Sequence, residues 1–122
     1  MKRSEFDALV QKALNKIPRI FRDAMENLEI VVEDWPDPGL MEEVTGESDA
    51  MVYGLFTGTP LPLRHADDWG SPPSLIHIYR GPLEEDFTDP DELAHEIEIT
   101  LVHEIAHYMG FDEEKLAEYG YD

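Results

Sequence analysis

Apolar residues recur along the chain with two periods, which predict helices at both ends and a few short strands between them. From Phe6 to Leu14 they follow helical spacing, and Pro18 ends this helix and can begin a second one. Three segments are too short, and too rich in β-branched or aromatic residues, to form helices. They predict strands at 28–34, 51–58 and 75–81, and the segments rich in Pro and Gly predict loops at 35–39 and 59–74.

The best-defined element is a long helix predicted over residues 90–109. Asp89 is a suitable cap, Pro90 takes the first helical position and Glu92 completes a capping box. Gly110 should end the helix in the left-handed conformation. A short helix and an aromatic tail follow it, and we find no internal repeat, which favours one α+β domain over residues 1–122. The core-facing stripe consists of Leu93, Ile97, Leu101, Ile105 and Met109.

Composition narrows the chemistry further. The chain has no cysteine, which excludes thiolate metal ligands and cysteine nucleophiles. Its net charge of -19 repels phosphate backbones and argues against nucleic acid as a partner. Residues 81–122 hold 14 acidic side chains and one basic residue, Lys115. This imbalance is typical of a solubilising surface, and the alternative is a field that attracts cations, either a metal ion or a basic peptide or protein substrate. No signal peptide and no membrane-spanning run is recognised, and we therefore expect a cytoplasmic protein without a membrane partner.

Two histidines near the end of the long helix carry the main chemical signal. His103 and His107 are one turn apart and therefore point the same way. Two imidazoles in this arrangement can reach one zinc ion at about 2.0–2.1 Å each. Glu104, at the edge of the same face, can reach a water on the metal. The H-E-x-x-H spacing thus predicts two zinc ligands and a glutamate general base on one rigid element.

A third protein ligand has to come from the chain that follows the helix. A left-handed residue at Gly110 would reverse the chain, so that the carboxylate of Glu113 can return to the histidine pair. Asp112 and Glu114 flank it and are the fallback ligands. Three protein ligands would leave the fourth zinc position for water, as in catalytic rather than structural sites.

Three segments together resemble the mini-zincins, which are small single-domain bacterial zincin-like metallopeptidases: "GLFTGTPLPLR", "LIHIYRGPLEEDF" and "HEIAHYMGFDEEKL". The resemblance implies a minimal zincin fold, with N-terminal helices, a mixed sheet of three to four strands and an active-site helix. The family pattern H-E-x-x-H-x-x-G-x-x-D has aspartate as its third ligand. This chain has Glu113 there, whose carboxylate is one methylene longer.

The same resemblance implies two supporting features. In zincins an edge strand beside the active-site helix pairs with the extended substrate, and residues 75–81 are the candidate, with an ordinary internal strand as the alternative. Tyr121 could fold back under the histidines, or the tail could be disordered. His95 lies too far along the helix to join the zinc site, and His77 is more typical of a sheet face.

These observations predict a zinc-dependent metallopeptidase in which Glu104 activates the water that attacks the peptide bond. The alternative is a catalytically inactive module of zincin fold that binds a metal, a peptide or a partner. Little chain follows the motif, so the far wall of a substrate cleft would come from the 59–74 loop, from a second subunit in a homodimer, or be missing.

Overall fold

The computed structural model describes residues 1–58 and 74–121. Most of the predicted 59–74 loop, including His65, lies outside them. Within the described residues the chain forms six α-helices and three β-strands, which confirms the expected small α+β fold. In chain order the elements are α1 (Arg3–Lys16), α2 (Arg19–Asp23), β1 (Leu28–Glu33), α3 (Pro38–Thr45), β2 (Gly54–Thr57), β3 (Ser74–Tyr79), α4 (Arg80–Asp86), α5 (Pro90–Met109) and α6 (Glu113–Ala117).

The long helix has the predicted ends. The Asp89 carboxylate accepts a hydrogen bond of 3.0 Å from the backbone N–H of Glu92, and Pro90 occupies the first turn of α5. Gly110 ends the helix with φ of 79°, in the left-handed region that glycine adopts without steric cost. Of the predicted stripe, Met109 is half-buried, and four residues are at most 1% exposed: Leu93, Ile97, Leu101 and Ile105.

The strands form one mixed sheet in the order β1-β3-β2. β1 runs parallel to β3, with Leu28 opposite Ser74, and β2 runs antiparallel to it, with Gly54 opposite Ile78. β3 is therefore the central strand. The expectation that residues 75–81 form a substrate-binding edge strand is wrong, because β3 has partners on both sides and gives way to α4 after Tyr79. In the described part of the chain, β2 has a strand partner on one side only.

The hydrophobic core lies between the sheet and the helices α1 and α5. On the sheet, Ile76 and Ile78 are fully buried, and on α1 so is Phe6. The buried face of α5 closes the core opposite these side chains. Because packing fixes one face of α5, the face that carries the histidines is held in a defined direction. None of the helices in the described residues combines the length and apolar character that crossing a bilayer requires.

Candidate active site and metal centre

His103 lies near the end of α5 with its tautomer fixed by the backbone. Its Nδ1 atom is 2.9 Å from the carbonyl oxygen of Ile99, one turn earlier. A carbonyl can only accept, so Nδ1 carries the hydrogen and Nε2 keeps the lone pair. This is the arrangement in which a histidine binds a metal through Nε2 while its other nitrogen is oriented by the protein.

His107 lies one turn further along α5 and its side chain is 57% exposed. Its Nδ1 atom is 3.4 Å from Oε2 of Glu104, whose side chain is only 10% exposed. A proton on Nδ1 directed at this carboxylate would again leave Nε2 available to a metal. The contact thus favours for His107 the tautomer that the hydrogen bond to Ile99 assigns to His103.

Glu104 is a buried acid held between charged and polar neighbours. Burial raises the pKa of its carboxyl, because leaving water disfavours the charged form. His107, a hydrogen bond from the backbone N–H of Phe56, and His103 all oppose this rise by stabilising the carboxylate. A carboxylate with a raised pKa is a better proton acceptor than an ordinary surface glutamate, which suits a general base.

A close approach of β2 to α5 makes the contact between Phe56 and Glu104 possible. A Cβ atom on Gly54 would lie 2.7 Å from Cγ2 of Thr100 and 3.4 Å from Cγ of Glu104. Only glycine therefore lets the strand come this close without displacing the helix. On the same strand, the Phe56 ring packs on Tyr108, with ring centroids 5.6 Å apart.

The chain reverses directly after α5, as the glycine predicted. The N–H of Gly110 donates to the carbonyl of His107 at 3.1 Å, and the N–H of Phe111 donates to Ala106 at 2.9 Å. These two bonds form a Schellman-type helix end. The chain then enters α6, where the Asp112 carboxylate caps the helix by accepting from the N–H of Lys115 at 2.8 Å.

The third ligand is not assembled beside the histidines. Glu113 is the first residue of α6 and is exposed, as are Asp112 and Glu114. Over residues 1–58 and 74–121, no three His, Asp or Glu side chains are grouped closely enough to hold a metal ion. The two imidazoles fit zinc in chemistry and spacing, and the carboxylate would have to come from a local shift of the 112–114 segment.

The remaining residues weighed from the sequence have clear positions. His77 lies on the sheet face, with Nε2 3.1 Å from the hydroxyl of Thr57 and Nδ1 bonded to Glu33, away from the histidine pair. His95 is exposed on α5. The Tyr121 hydroxyl lies 3.5 Å from Oε2 of Glu98, and its support of the histidines stays a prediction.

Comparison with known proteins identifies the fold around this site. The sequence profile of the zincin-like metallopeptidases matches residues 25–121. The chain belongs to this family. Zincin-like metallopeptidases are typically zinc-dependent, which agrees with the two histidines of α5.

One solved structure extends the comparison to nearly the whole chain. A conserved hypothetical protein from Thermus thermophilus is 23% identical, and the match covers 99% of this chain and 100% of that one, with a TM-score of 0.55. At this level of identity the likeness is one of fold. No curated protein matches the sequence.

Sequence reasoning missed the residues that reach Glu104 from the sheet. Phe56 contributes a backbone N–H, which leaves no trace in side-chain patterns. Gly54 did carry a signal, since a glycine inside a strand pattern often marks a close approach of another element. Its partner, Thr100, could not be found without knowing which strand packs on α5.

Proposed function

We propose that this zincin-like metallopeptidase hydrolyses peptide bonds, with Glu104 as the general base and with His103, His107 and Glu113 as ligands of a catalytic zinc. The observation that carries the proposal is the placement of Glu104. It is a buried carboxyl of raised pKa, on the same two turns as two imidazoles, of which His103 keeps Nε2 available. When bound, zinc would supply Lewis-acid polarisation of the scissile carbonyl and lower the pKa of water.

Glu104 performs the proton chemistry in this proposal. Its carboxylate accepts a proton from the attacking water and later donates it to the leaving amine. The Phe56 N–H and the His107 imidazole hold the carboxylate in place, which limits the reorganisation needed during the reaction. Burial keeps competing water away from the carboxylate.

Glu113 is favoured as the third ligand because neighbouring Asp112 already serves as a helix cap. Asp112 already uses its carboxylate to cap α6, and moving it to a metal would leave the Lys115 N–H without that acceptor. Glu113 and Glu114 lie in the exposed first turn of α6, where a shift disturbs no buried packing. Of these two, Glu113 has the spacing from Gly110 that the sequence motif indicates.

The substrate would bind as an extended strand along β2. This strand carries a partner on one side only within the described residues, and its Phe56 N–H already points to Glu104. A peptide added to this edge would therefore run past the general base. The edge strand proposed here is β2, in place of residues 75–81.

The alternative function is a module of the same fold that binds metal or peptide without cleaving it. Among the described residues, no third ligand lies beside the two histidines. This favours the alternative function, because two histidines alone hold zinc weakly. The two functions differ in one measurable respect, which is the appearance of cleavage products when zinc and a peptide library are supplied.

Replacing Glu104 with Gln tests the proposed function. The variant should bind zinc like the wild type, because the amide keeps the size of the side chain and the histidines are unchanged. Hydrolysis of a library-selected peptide should fall about 100-fold or more, since the general base is lost. The control is Glu92→Gln, an exposed site on the same helix with the same change of charge. Equal turnover by Glu104→Gln and the wild type would refute the base assignment, and zinc binding without any product would support the module.

A further inference from the structure

A cavity of about 450 Å³ lies between α5 and the C-terminal tail. Its walls combine aromatic, acidic and aliphatic side chains: Pro18, His95, Glu98, Ile99, Tyr119 and Tyr121. Volumes of this order are typical of sites that enclose a small molecule or one side chain of a larger ligand. Neither the motif nor the proposed proton chemistry uses this cavity.

Ile99 connects the cavity to the histidine pair. It lines the cavity, and its backbone carbonyl accepts the hydrogen bond that orients His103. The cavity therefore lies one helical turn from the first predicted zinc ligand. A peptide held at the zinc could place a neighbouring side chain in it.

The tail forms a fixed wall of the cavity. Phe21 on α2 packs edge-on against Tyr119 and Tyr121, with ring centroids 5.4 Å and 6.1 Å apart. Gly120 has φ of 87°, and its left-handed backbone turns the chain so that Tyr121 returns to α5. The N–H of Tyr121 then donates to the carbonyl of Leu116 at 3.4 Å. A wall fixed in this way needs little ordering when a ligand binds.

The lining favours a cation. Glu98 supplies a carboxylate, and the ring of Tyr121 offers a surface on which a guanidinium or ammonium group can stack. Tyr119 is already stacked on Phe111, and its ring accepts the ammonium group of Lys115 at 5.8 Å, which shows that this wall accommodates a cation. The surroundings reinforce this preference, because residues 81–122 contain 14 acidic residues against the single basic Lys115. That lysine is already paired with Glu118 at 3.2 Å.

We propose that this cavity binds the arginine or lysine side chain of a peptide substrate, next to the bond that is cleaved. That the ligand is a substrate rests on the proposed function, whereas the preference for a basic side chain rests on the residues that line the cavity. It gives the acidic C-terminal third a specific role in addition to its general attraction for basic peptides.

Binding to the Glu104→Gln variant tests the cavity without any cleavage. The probes are N-acetyl-arginine methylamide and its neutral counterpart N-acetyl-norleucine methylamide, titrated into zinc-supplemented protein and followed by amide chemical shifts. The arginine probe should shift the signals of Ile99 and Gly120. It should bind about tenfold tighter than the norleucine probe, as expected for a hydrogen bond to a charged partner.

Substitutions then distinguish binding in the cavity from attraction by the overall negative charge of the protein. Glu98→Gln should reduce arginine binding about tenfold, while Glu92→Gln, which removes the same charge from an exposed site on the same helix, should change it less than about twofold. Tyr121→Phe removes the hydroxyl near Glu98 but keeps the ring, so the wall and the arginine binding should persist. Equal affinity for both probes, or equal losses in Glu98→Gln and Glu92→Gln, would overturn the proposal.

Cleavage assays distinguish a failure of this inference from a failure of the proposed function. Peptides cleaved by the wild type with no preference for arginine or lysine over norleucine contradict the cavity assignment and leave the peptidase intact. An arginine probe bound at Ile99 and Gly120, in a protein that cleaves no peptide, contradicts the peptidase and supports the cavity as a site for basic side chains.

Discussion

The backbone N–H of Phe56, on β2, interacts with the carboxylate of Glu104, on α5, and counteracts the rise that burial causes in its pKa. Because the strand is an edge strand in the described part of the sheet, this contact brings the proposed general base to the margin where a peptide can add. The approach depends on Gly54, which lies two residues earlier on β2 and lets the strand meet α5 at Thr100.

A side chain at position 54 should separate β2 from α5. We expect Gly54→Ala to cost about 1–3 kcal/mol of unfolding free energy, because its Cβ would lie 2.7 Å from Cγ2 of Thr100. Hydrolysis should fall further than stability alone explains, since Glu104 loses its strand contact. Chemical denaturation and peptide turnover measure the two effects. Adding Thr100→Ser removes the clashing methyl group and should restore part of both; no recovery in the double variant would show that the contact is not limiting.

The third zinc ligand can be identified by three isosteric substitutions. We expect Glu113→Gln to weaken zinc binding by at least about tenfold, since loss of even a residue that only orients a metal ligand costs about 10–100-fold. Asp112→Asn keeps a residue that can cap α6 but removes the carboxylate, and Glu114→Gln removes the neighbouring charge. Both should retain zinc affinity close to that of the wild type. Competition with a chelator measures all three, and a loss confined to Asp112→Asn would assign the ligand to that residue instead.

The left-handed turn after α5 should matter for the metal as well as for stability. Gly110→Ala places a Cβ at φ of 79° and should cost about 1–2 kcal/mol of unfolding free energy. It should also weaken zinc binding, because strain in the turn would displace the 112–114 segment that follows it. Gly46→Ala is the matched control, since Gly46 ends α3 with φ of 86° far along the chain from the site. It should lose similar stability at unchanged zinc affinity, and equal zinc affinity in both variants would contradict the role of the turn.

Alkaline pH should destabilise the fold through Tyr79. Its side chain is fully buried, no hydrogen-bond partner for its hydroxyl is found among the described residues, and burial raises its pKa to about 12. The folded state therefore keeps this proton when the unfolded chain has lost it. Stability is fully present below pH of about 10 and falls by up to about 1.4 kcal/mol per pH unit until the pH reaches about 12.

The variant Tyr79→Phe isolates this contribution. It should reduce the slope of unfolding free energy against pH in that range, and its stability at neutral pH should be little changed, since it removes a buried hydroxyl for which the described residues offer no partner. Tyr53 also contributes to the wild-type slope, because its hydrogen bond to Asp86 and burial raise its pKa to about 12. Tyr53→Phe is therefore the comparison, and an unchanged slope in Tyr79→Phe would assign the effect elsewhere.

The elements with local signals were predicted correctly from the sequence. For α5, the cap at Asp89, the apolar stripe and the glycine at 110 all act within a few residues of the helix, and the structure confirms each. The loop predicted at 35–39 was partly wrong, because Asp37 caps α3 and the helix begins at Pro38.

The rest depends on contacts between distant segments. The strand predicted over 75–81 ends at Tyr79, since α4 begins at Arg80, and the N–H of Gly81 in the first turn of α4 still donates to the carbonyl of Asp34 at 2.7 Å. The alternation of apolar and polar residues within 75–81 cannot predict a bond to a residue as distant in the sequence as Asp34. The order of the sheet, and with it the identity of the edge strand, is equally non-local. In the site, the helix residues were recognised from their spacing, whereas the donor on β2 was not.

Ile99 belongs to both proposed binding sites, because it lines the cavity and its carbonyl orients His103. Ligands that share such a residue are subject to thermodynamic linkage. Any factor by which an arginine side chain in the cavity alters the affinity for zinc must equal the factor by which zinc alters the affinity for arginine. Basic peptides would then regulate metal retention as well as serve as substrates. Metal content measured without them would report the zinc affinity of the peptide-free protein and not that of the complex.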